Sequence, residues 1–543
     1  MQVKEFKKGI SFESDTEYVY KGERLDVYLS DTTRTTNAEY RGMTIRAGEY
    51  LDIAFWIRDV KNTTFDFGGA KLVFHGRIVP FILDGCENVK IKNLKIDYNR
   101  PFYTQADVLS YKEDEMEIKI DDGFDYEVRD GYLVVKGDDW EKNLNKNDCL
   151  LWMLDKTGEK GYGIILGLFG EKIYPNDNPP LPIRRILIEE KADGVLKLKG
   201  DFSHTGWEYN DGNNKLVFTH EVRDKCTFTI CGCKNTYIEK CVLIHGASMA
   251  VTCMRSENIY IDDFSMYMDY DGNGRYVTNN ADAIHTFNCS GDFVFRNSYM
   301  DGLLDDTVNV HNNYFHVKKT EGKKLYCYTK SAGLAFALKC FSEGQRIAIF
   351  RGRTQELKGE YIINKITDDE QAQIHIFELD REIKGIDVDD TVENLSAQPE
   401  ILIENCKFGL FRGTMRLQSR NKTVVRNCEF LNKATSLLFT GDMIYWYESS
   451  PVQDVLIENC KFRNAEYGAR ILWDSHIDYT DKEKYYHKNI TIRNCYFDAG
   501  VAAVFDHVDG FTFKDNTSDG EIEIIYSDSA NVDIQSGVKV TQK

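Results

Sequence analysis

A short strand unit that returns roughly every 22 residues constrains this chain more than any other feature. "NTYIEKCVLIHG" (235–246), "NIYIDDFSMY" (258–267), "EILIENCKFGL" (400–410), "KTVVRNCEFLN" (422–432), "DVLIENCKFRN" (454–464) and "NITIRNCYFDA" (489–499) share one pattern. Each has alternating apolar residues, a polar corner that usually holds Asn, and a second short strand ending in an aromatic or aliphatic side chain. Asn235 to Asn258 spans one repeat, and Asn405 to Asn427 spans another that is shorter by a single position. A period of that length with short strands and no helical signal predicts an all-β, right-handed parallel β-helix, one coil per repeat. Asn suits the corner because it tolerates left-handed φ, and its amide can pair with the Asn of the next coil.

Two stretches break the period. Residues 106–225 carry alternating strands such as "MEIKI" and "VLKLKG", and residues 313–397 carry "QRIAIFRG" and "EYIINKI". Both are expected to be small inserted antiparallel, barrel-like β domains. The expected order is amino-terminal coils (1–105), first insertion (106–225), central coils (226–312), second insertion (313–397) and carboxy-terminal coils (398–543).

Composition excludes some roles. The net charge of −19 repels polyphosphate, so no nucleic-acid partner is expected. No apolar run approaches membrane-spanning length, so no membrane partner is expected either. The opening "MQVKEFKKGIS" has no apolar run after its basic residues, which reads as cytoplasmic; a secreted or periplasmic chain with its export signal removed would look the same. Cys406, Cys428, Cys460 and Cys495 occupy one repeat slot after Asn, as expected of small buried hydrophobes. Cys226, Cys231, Cys233 and Cys241 lack zinc spacing and read as core. "DYDGNG" (Asp269, Asp271, Asn273, Gly274) opens like a calcium loop, but its twelfth position is Asn280, so it reads as a polar turn.

The chemistry is expected in residues 279–311, "NNADAIHTFNCSGDFVFRNSYMDGLLDDTVNVH". Asp305 follows Asp282 by the same count as Asn258 follows Asn235. That spacing of one repeat places Asp282 beside the Asp305–Asp306 pair on adjacent coils. Consecutive strand residues face opposite ways, so one of the pair is expected to face inward unless Gly302 re-aims it. Converging carboxylates repel one another, a cost that marks a site; repulsion raises one carboxyl toward a general acid and leaves another as base. His285 and His311 flank them. Trp446 and Glu448, in "YWYESS", offer a stacking face and a hydroxyl-binding carboxylate for a sugar. Arg412 and Arg416 are further candidate holders of substrate.

These residues resemble a known family. "NADAIHTFN" with "LLDDTVNVH" is similar to the active-site signature of glycoside hydrolase family 110, the α-1,3-galactosidases. "FHGRIVPFILDGCENVKIKNLKIDYNRPFYTQ" (74–105) and "YWYESSPVQDVLIENCKF" resemble that family's terminal signatures. The resemblance implies a β-helix with inserted barrels and an exo-acting, inverting enzyme that removes terminal α-1,3-linked galactose from blood-group-B-type or linear glycans. It implies Asp282, Asp305 and Asp306 as catalytic carboxylates and no metal or organic cofactor. Asn280-Ala281-Asp282 also resembles the polygalacturonases, but their Gly-His-Gly and Arg-Ile-Lys are missing. "AIHTFN" departs from the α-galactosidase pattern, which leaves N-acetylgalactosamine open as the terminal sugar; another α-linked hexose or a uronate is a second enzyme alternative. A non-catalytic glycan-binding β-helix and a homodimer through an inserted barrel also stay open.

Overall fold

The computed structural model describes residues 2–35, 50–144, 151–156, 186–191, 194–203, 209–220, 225–331, 339–352, 354–409, 413–432, 435–443, 446–449, 451–463, 465–472, 485–498 and 500–543, and the backbone of 163–165. Among the described residues, two fourteen-stranded sheets and one six-stranded sheet run along the molecule. Their strands stack in parallel, as in the register Ile401, Thr423, Val455, Ile490, Phe511 across five coils. This is a parallel β-helix. Among the described residues no helix is long and apolar enough to cross a membrane.

The repeat explains the architecture locally. In Pro399–Glu404, Ile401 and Ile403 are buried while Glu400 is exposed, so period-two alternation sends one face into the coil interior. The strand ends at Asn405 with φ 56°, and Asn427 and Asn459 repeat the corner at 55°. The corner amides form a ladder. Asn405 Nδ2 donates to Asn297 Oδ1 (3.1 Å), Asn427 to Asn405 (3.2 Å) and Asn459 to Asn427 (3.4 Å). Inside, Phe408, Phe430, Phe462 and Phe497 form a stack with centroids 5.1, 4.9 and 4.8 Å apart. The corner cysteines are buried thiols, each donating to the carbonyl two residues back, as Cys428 does to Arg426 at 3.3 Å.

The insertions interrupt the chain without interrupting the stack. Phe81 pairs with Phe228 across the first, and Val308 pairs with Met415 across the second. The second insertion is a closed six-stranded antiparallel barrel from Phe315 to Asn394. The first insertion is described in part. Its described strands form an open seven-stranded path beside a three-stranded sheet. Leu133 and Val135 of the small sheet share one core with Ile118, Leu198 and Leu216 of the larger one. Much of residues 157–185, within this insertion, lies outside the described residues.

Both insertions grip the coils around the aspartates. Val277 and Leu304 of the helix enter the core of the first. Cys231, Met254 and Phe287 enter the core of the barrel.

Candidate active site

Two side chains shape the approach to Asp282. Asn279 Nδ2 donates to the carbonyls of Ala281 (2.8 Å) and Asp282 (2.9 Å), and Asn280 Nδ2 donates to Phe102 O at 2.7 Å. The next coil bends at Gly302, whose φ is +71°. A Cβ there would come within 2.9 Å of both Met268 Cγ and Tyr276 O, so the turn requires glycine on two counts.

The register corrects the pairing inferred from the repeat. Strand Ile284–Phe287 pairs with Val308–Asn313 so that Ile284 faces Val308 and His285 faces Asn309. That step is one position longer than the step from Asn235 to Asn258. Carried back to the carboxylates, it makes Asp306 the coil neighbour of Asp282. The Ala283 amide donates to Asp306 O at 3.0 Å, which fixes the alignment at the carboxylates themselves. Asp282 and Asp306 are both buried, 2% and 7% exposed, whereas Asp305 is half-buried. Asp305 Oδ1 folds back to accept the Asp306 amide at 3.1 Å. The extra residue lies between the coils, and it moves the stacked partner by one position.

Alternation then sorts the neighbouring side chains. Ile284, Val308, Val310, Met415 and Leu417 join the helix core. His285, Asn309 and Arg416 occupy one rung line on the other face. His285 Nδ1 lies 2.5 Å from Asp282 Oδ2, and His285 Nε2 lies 2.9 Å from His311 Nε2. Arg416 Nε is 4.0 Å from Asp306 Oδ2.

Glu448 arrives from a different part of the chain. Strand Glu448–Ser449 pairs antiparallel with Asn312–Asn313, the end of the site strand, and so lies over the coils. Its carboxylate is 3.6 Å from His311 Nε2, 3.5 Å from Arg416 Nη2 and 3.4 Å from Asn309 Nδ2. Burial acts to raise the Glu448 carboxyl, but His311, Arg416 and His285 outweigh it and hold it below its ordinary value. Burial likewise acts to lower Arg416, and Glu448 and Asp306 outweigh it, keeping the guanidinium charged. Burial drives His311 down to about 4 against the pull of Glu448. Glu448 is therefore an anion, Arg416 a cation and His311 a neutral imidazole at neutral pH.

His285, His311 and Glu448 present three ligand atoms within 4.8 Å of one another. Two imidazole nitrogens on one tetrahedral zinc sit about 3.3 Å apart. The 2.9 Å contact between the two Nε2 atoms is that of a hydrogen bond. The "DYDGNG" segment is tied up as a turn: Asp269 Oδ1 accepts the Gly274 amide and Asp271 pairs with Lys71.

No protein-family model matches the chain. Individual relatives do. It is 27% identical to α-1,3-galactosidase A of Shewanella woodyi over 452 residues, covering 81% of this chain and 70% of that one. It is 26% identical to α-1,3-galactosidase B of Bacteroides thetaiotaomicron over 487 residues, 86% of this chain and 75% of the relative. It is 24% identical to α-1,3-galactosidase A of Bacteroides fragilis over 516 residues, 91% and 78% of the two chains. The chain is a relative of the family 110 α-1,3-galactosidases. Among solved structures, an exopolygalacturonase from Thermotoga maritima overlaps 98% of this chain and 80% of its own at 10% identity and a TM-score of 0.29. A likeness that loose carries no argument.

In this α-1,3-galactosidase relative, the fold brings together Asp282, Asp306, His285, His311, Glu448 and Arg416, with Asp305 at their edge. Trp446 stands two residues before Glu448 and is half-buried. Arg412 lies outside the described residues. Asn309 went unnoticed in the sequence. It sits between His285 and Arg416 on the rung line and reaches Glu448, and only the observed register reveals it.

Proposed function

We propose that this chain is a glycoside hydrolase that removes terminal α-1,3-linked galactose from glycans, using Asp282, Asp305 and Asp306 as its carboxylates. The observation that carries the proposal is the buried stacking of Asp282 on Asp306 beside a charged Arg416–Glu448 pair. Two carboxylates in one desolvated place favour different protonation states, and acid–base hydrolysis of a glycoside needs that difference. One carboxylic acid protonates the departing glycosidic oxygen, while an ionised partner takes a proton from water as it attacks the anomeric carbon from the opposite face. The relatives' names support galactose as the sugar and the α-1,3 bond as the target. Glu448, Arg416 and His311 supply an anion, a cation and a neutral imidazole for the sugar hydroxyls. Trp446 supplies an aromatic face for stacking.

The test is a panel of nitrophenyl α-glycosides of galactose, N-acetylgalactosamine and galacturonate, with a branched B-type and a linear α-1,3-galactosyl trisaccharide. Product is followed by proton NMR from the first minutes. Galactose release, with the β-anomer appearing first, is the expected result and the signature of inversion. First appearance of the α-anomer sinks inversion. Release of another sugar in place of galactose moves the specificity, and glycan bound but intact at every pH makes the chain a binding protein.

A further inference from the structure

Proton positions in the Asp282–His285–His311 chain follow from its acceptors. His311 Nδ1 lies 2.6 Å from the carbonyl oxygen of Asn312, which can only accept, so Nδ1 carries a hydrogen. His311 is neutral, pushed down to about 4 mainly by burial, so its Nε2 is bare and can only accept. His285 Nε2, 2.9 Å away, must therefore donate, which puts a hydrogen on it. At its other end His285 Nδ1 meets Asp282 Oδ2 at 2.5 Å, a contact that also requires a proton between the two atoms.

We infer that Asp282 and His285 hold two protons between them as a buried carboxylate–imidazolium pair, and that His285 is the positioning residue that keeps Asp282 ionised beside Asp306. The inference deepens the glycosidase reading and, for its catalytic meaning, rests on it. The described groups that face His285 agree. Thr252 beneath it is neutral and Asn309 above it is neutral. On the flanks stand Asp282, neutral His311 and ionised Glu448, with Asp306 on the next coil and Arg416 one coil further. An imidazolium among these carboxylates lowers their mutual repulsion. Because it bonds Asp282 directly, it favours the anion there and leaves the acid proton to the Asp305–Asp306 pair.

The test uses the full-length protein labelled with ¹⁵N in its 11 histidines and ¹³C in its aspartate carboxyl carbons, without substrate. Expected is one imidazole with both nitrogens protonated at pH 7.5, whose signal is absent from His285→Gln. The Asp282 carboxyl should titrate at least one pH unit higher in His285→Gln, a tenfold change in proton affinity. All imidazoles neutral at pH 7.5 in the wild-type protein overturns the pair, and that spectrum needs no variant. Should His285→Gln fail to fold, His311→Leu, which removes the ring nitrogen that accepts from His285, is expected to retain the imidazolium but speed exchange of its Nε2 proton. An unchanged Asp282 midpoint overturns the positioning role. Stoichiometric zinc uptake that abolishes the imidazolium signal, and is reversed by a chelator, would show a metal site instead and also overturn it. None of these readouts depends on turnover. Their failure leaves the glycosidase reading standing, and an intact pair in a protein that cleaves nothing condemns only that reading.

Discussion

Between Phe408 and Phe497 the coils repeat themselves. Phe lies on Phe with interplanar angles of 26°, 1° and 7°, and Asn bonds Asn along the corner. Between Asp282 and Arg416 the same stacking places carboxylate over carboxylate, and histidine, asparagine and arginine along one rung line. Stacking like on like stabilises neutral side chains, since each coil offers the next a matched surface or a matched hydrogen bond. For carboxylates the same geometry is repulsive. The carboxy-terminal coils therefore show what the fold prefers, and the central coils show what it tolerates for the sake of chemistry.

The sharpest way to break that contrast is to damage the regular region alone. Phe462→Ala removes one member of the stack and should cost about 3–5 kcal/mol of stability, as deletion of a buried ring does. Urea unfolding reads the loss. The activity of the remaining folded protein should be unchanged, and a parallel loss of turnover would mean the two regions are not separable.

A pH series probes a property the regions share. Burial drives His311 in the site and His487 in the carboxy-terminal coils down to about 4. Above the ordinary histidine range neither state binds the proton. Between about 6.5 and 4 the unfolded chain binds it and the folded chain does not, so stability falls as pH falls through that window. Each histidine should contribute a slope of about 1.4 kcal/mol per pH unit there. Replacing either by Gln should flatten the fall, and an unchanged slope would remove that residue from the account.

The smallest effect belongs to the corner ladder. Asn427→Ala loses two side-chain hydrogen bonds and places Ala at φ 55°, with an expected cost of about 1–2 kcal/mol. Asn427→Gly loses the same bonds without the left-handed strain and should cost less. Equal costs would mean that the backbone conformation contributes nothing.

Much of this was legible in the amino-acid sequence because the repeat is written in residues whose physics is local. Alternation defines the buried face, Asn marks the corner, and a stretch that abandons both is an insertion. His285, Glu448 and Arg416 were also visible as residue types suited to a sugar site. The register of the aspartates was not. The period drifts with the turns between coils: Val251 pairs with Ile284 and Ile284 with Val308, so successive coils consume different lengths of chain. A count carried over from Asn235 and Asn258 thus selects Asp305 where the coil selects Asp306. Asn309 was hidden by the same slip.

The most direct test of the central claim is Asp306→Asn, assayed for galactose release from an α-1,3-galactosyl trisaccharide and for urea stability in the same preparation. Stability should hold, because relief of the repulsion with Asp282 offsets the lost attraction to Arg416. Release should fall by roughly 10²–10⁴-fold, the usual contribution of a general acid or base. Normal release, or a loss of activity matched by a loss of stability, would make Asp306 a structural residue and contradict the account.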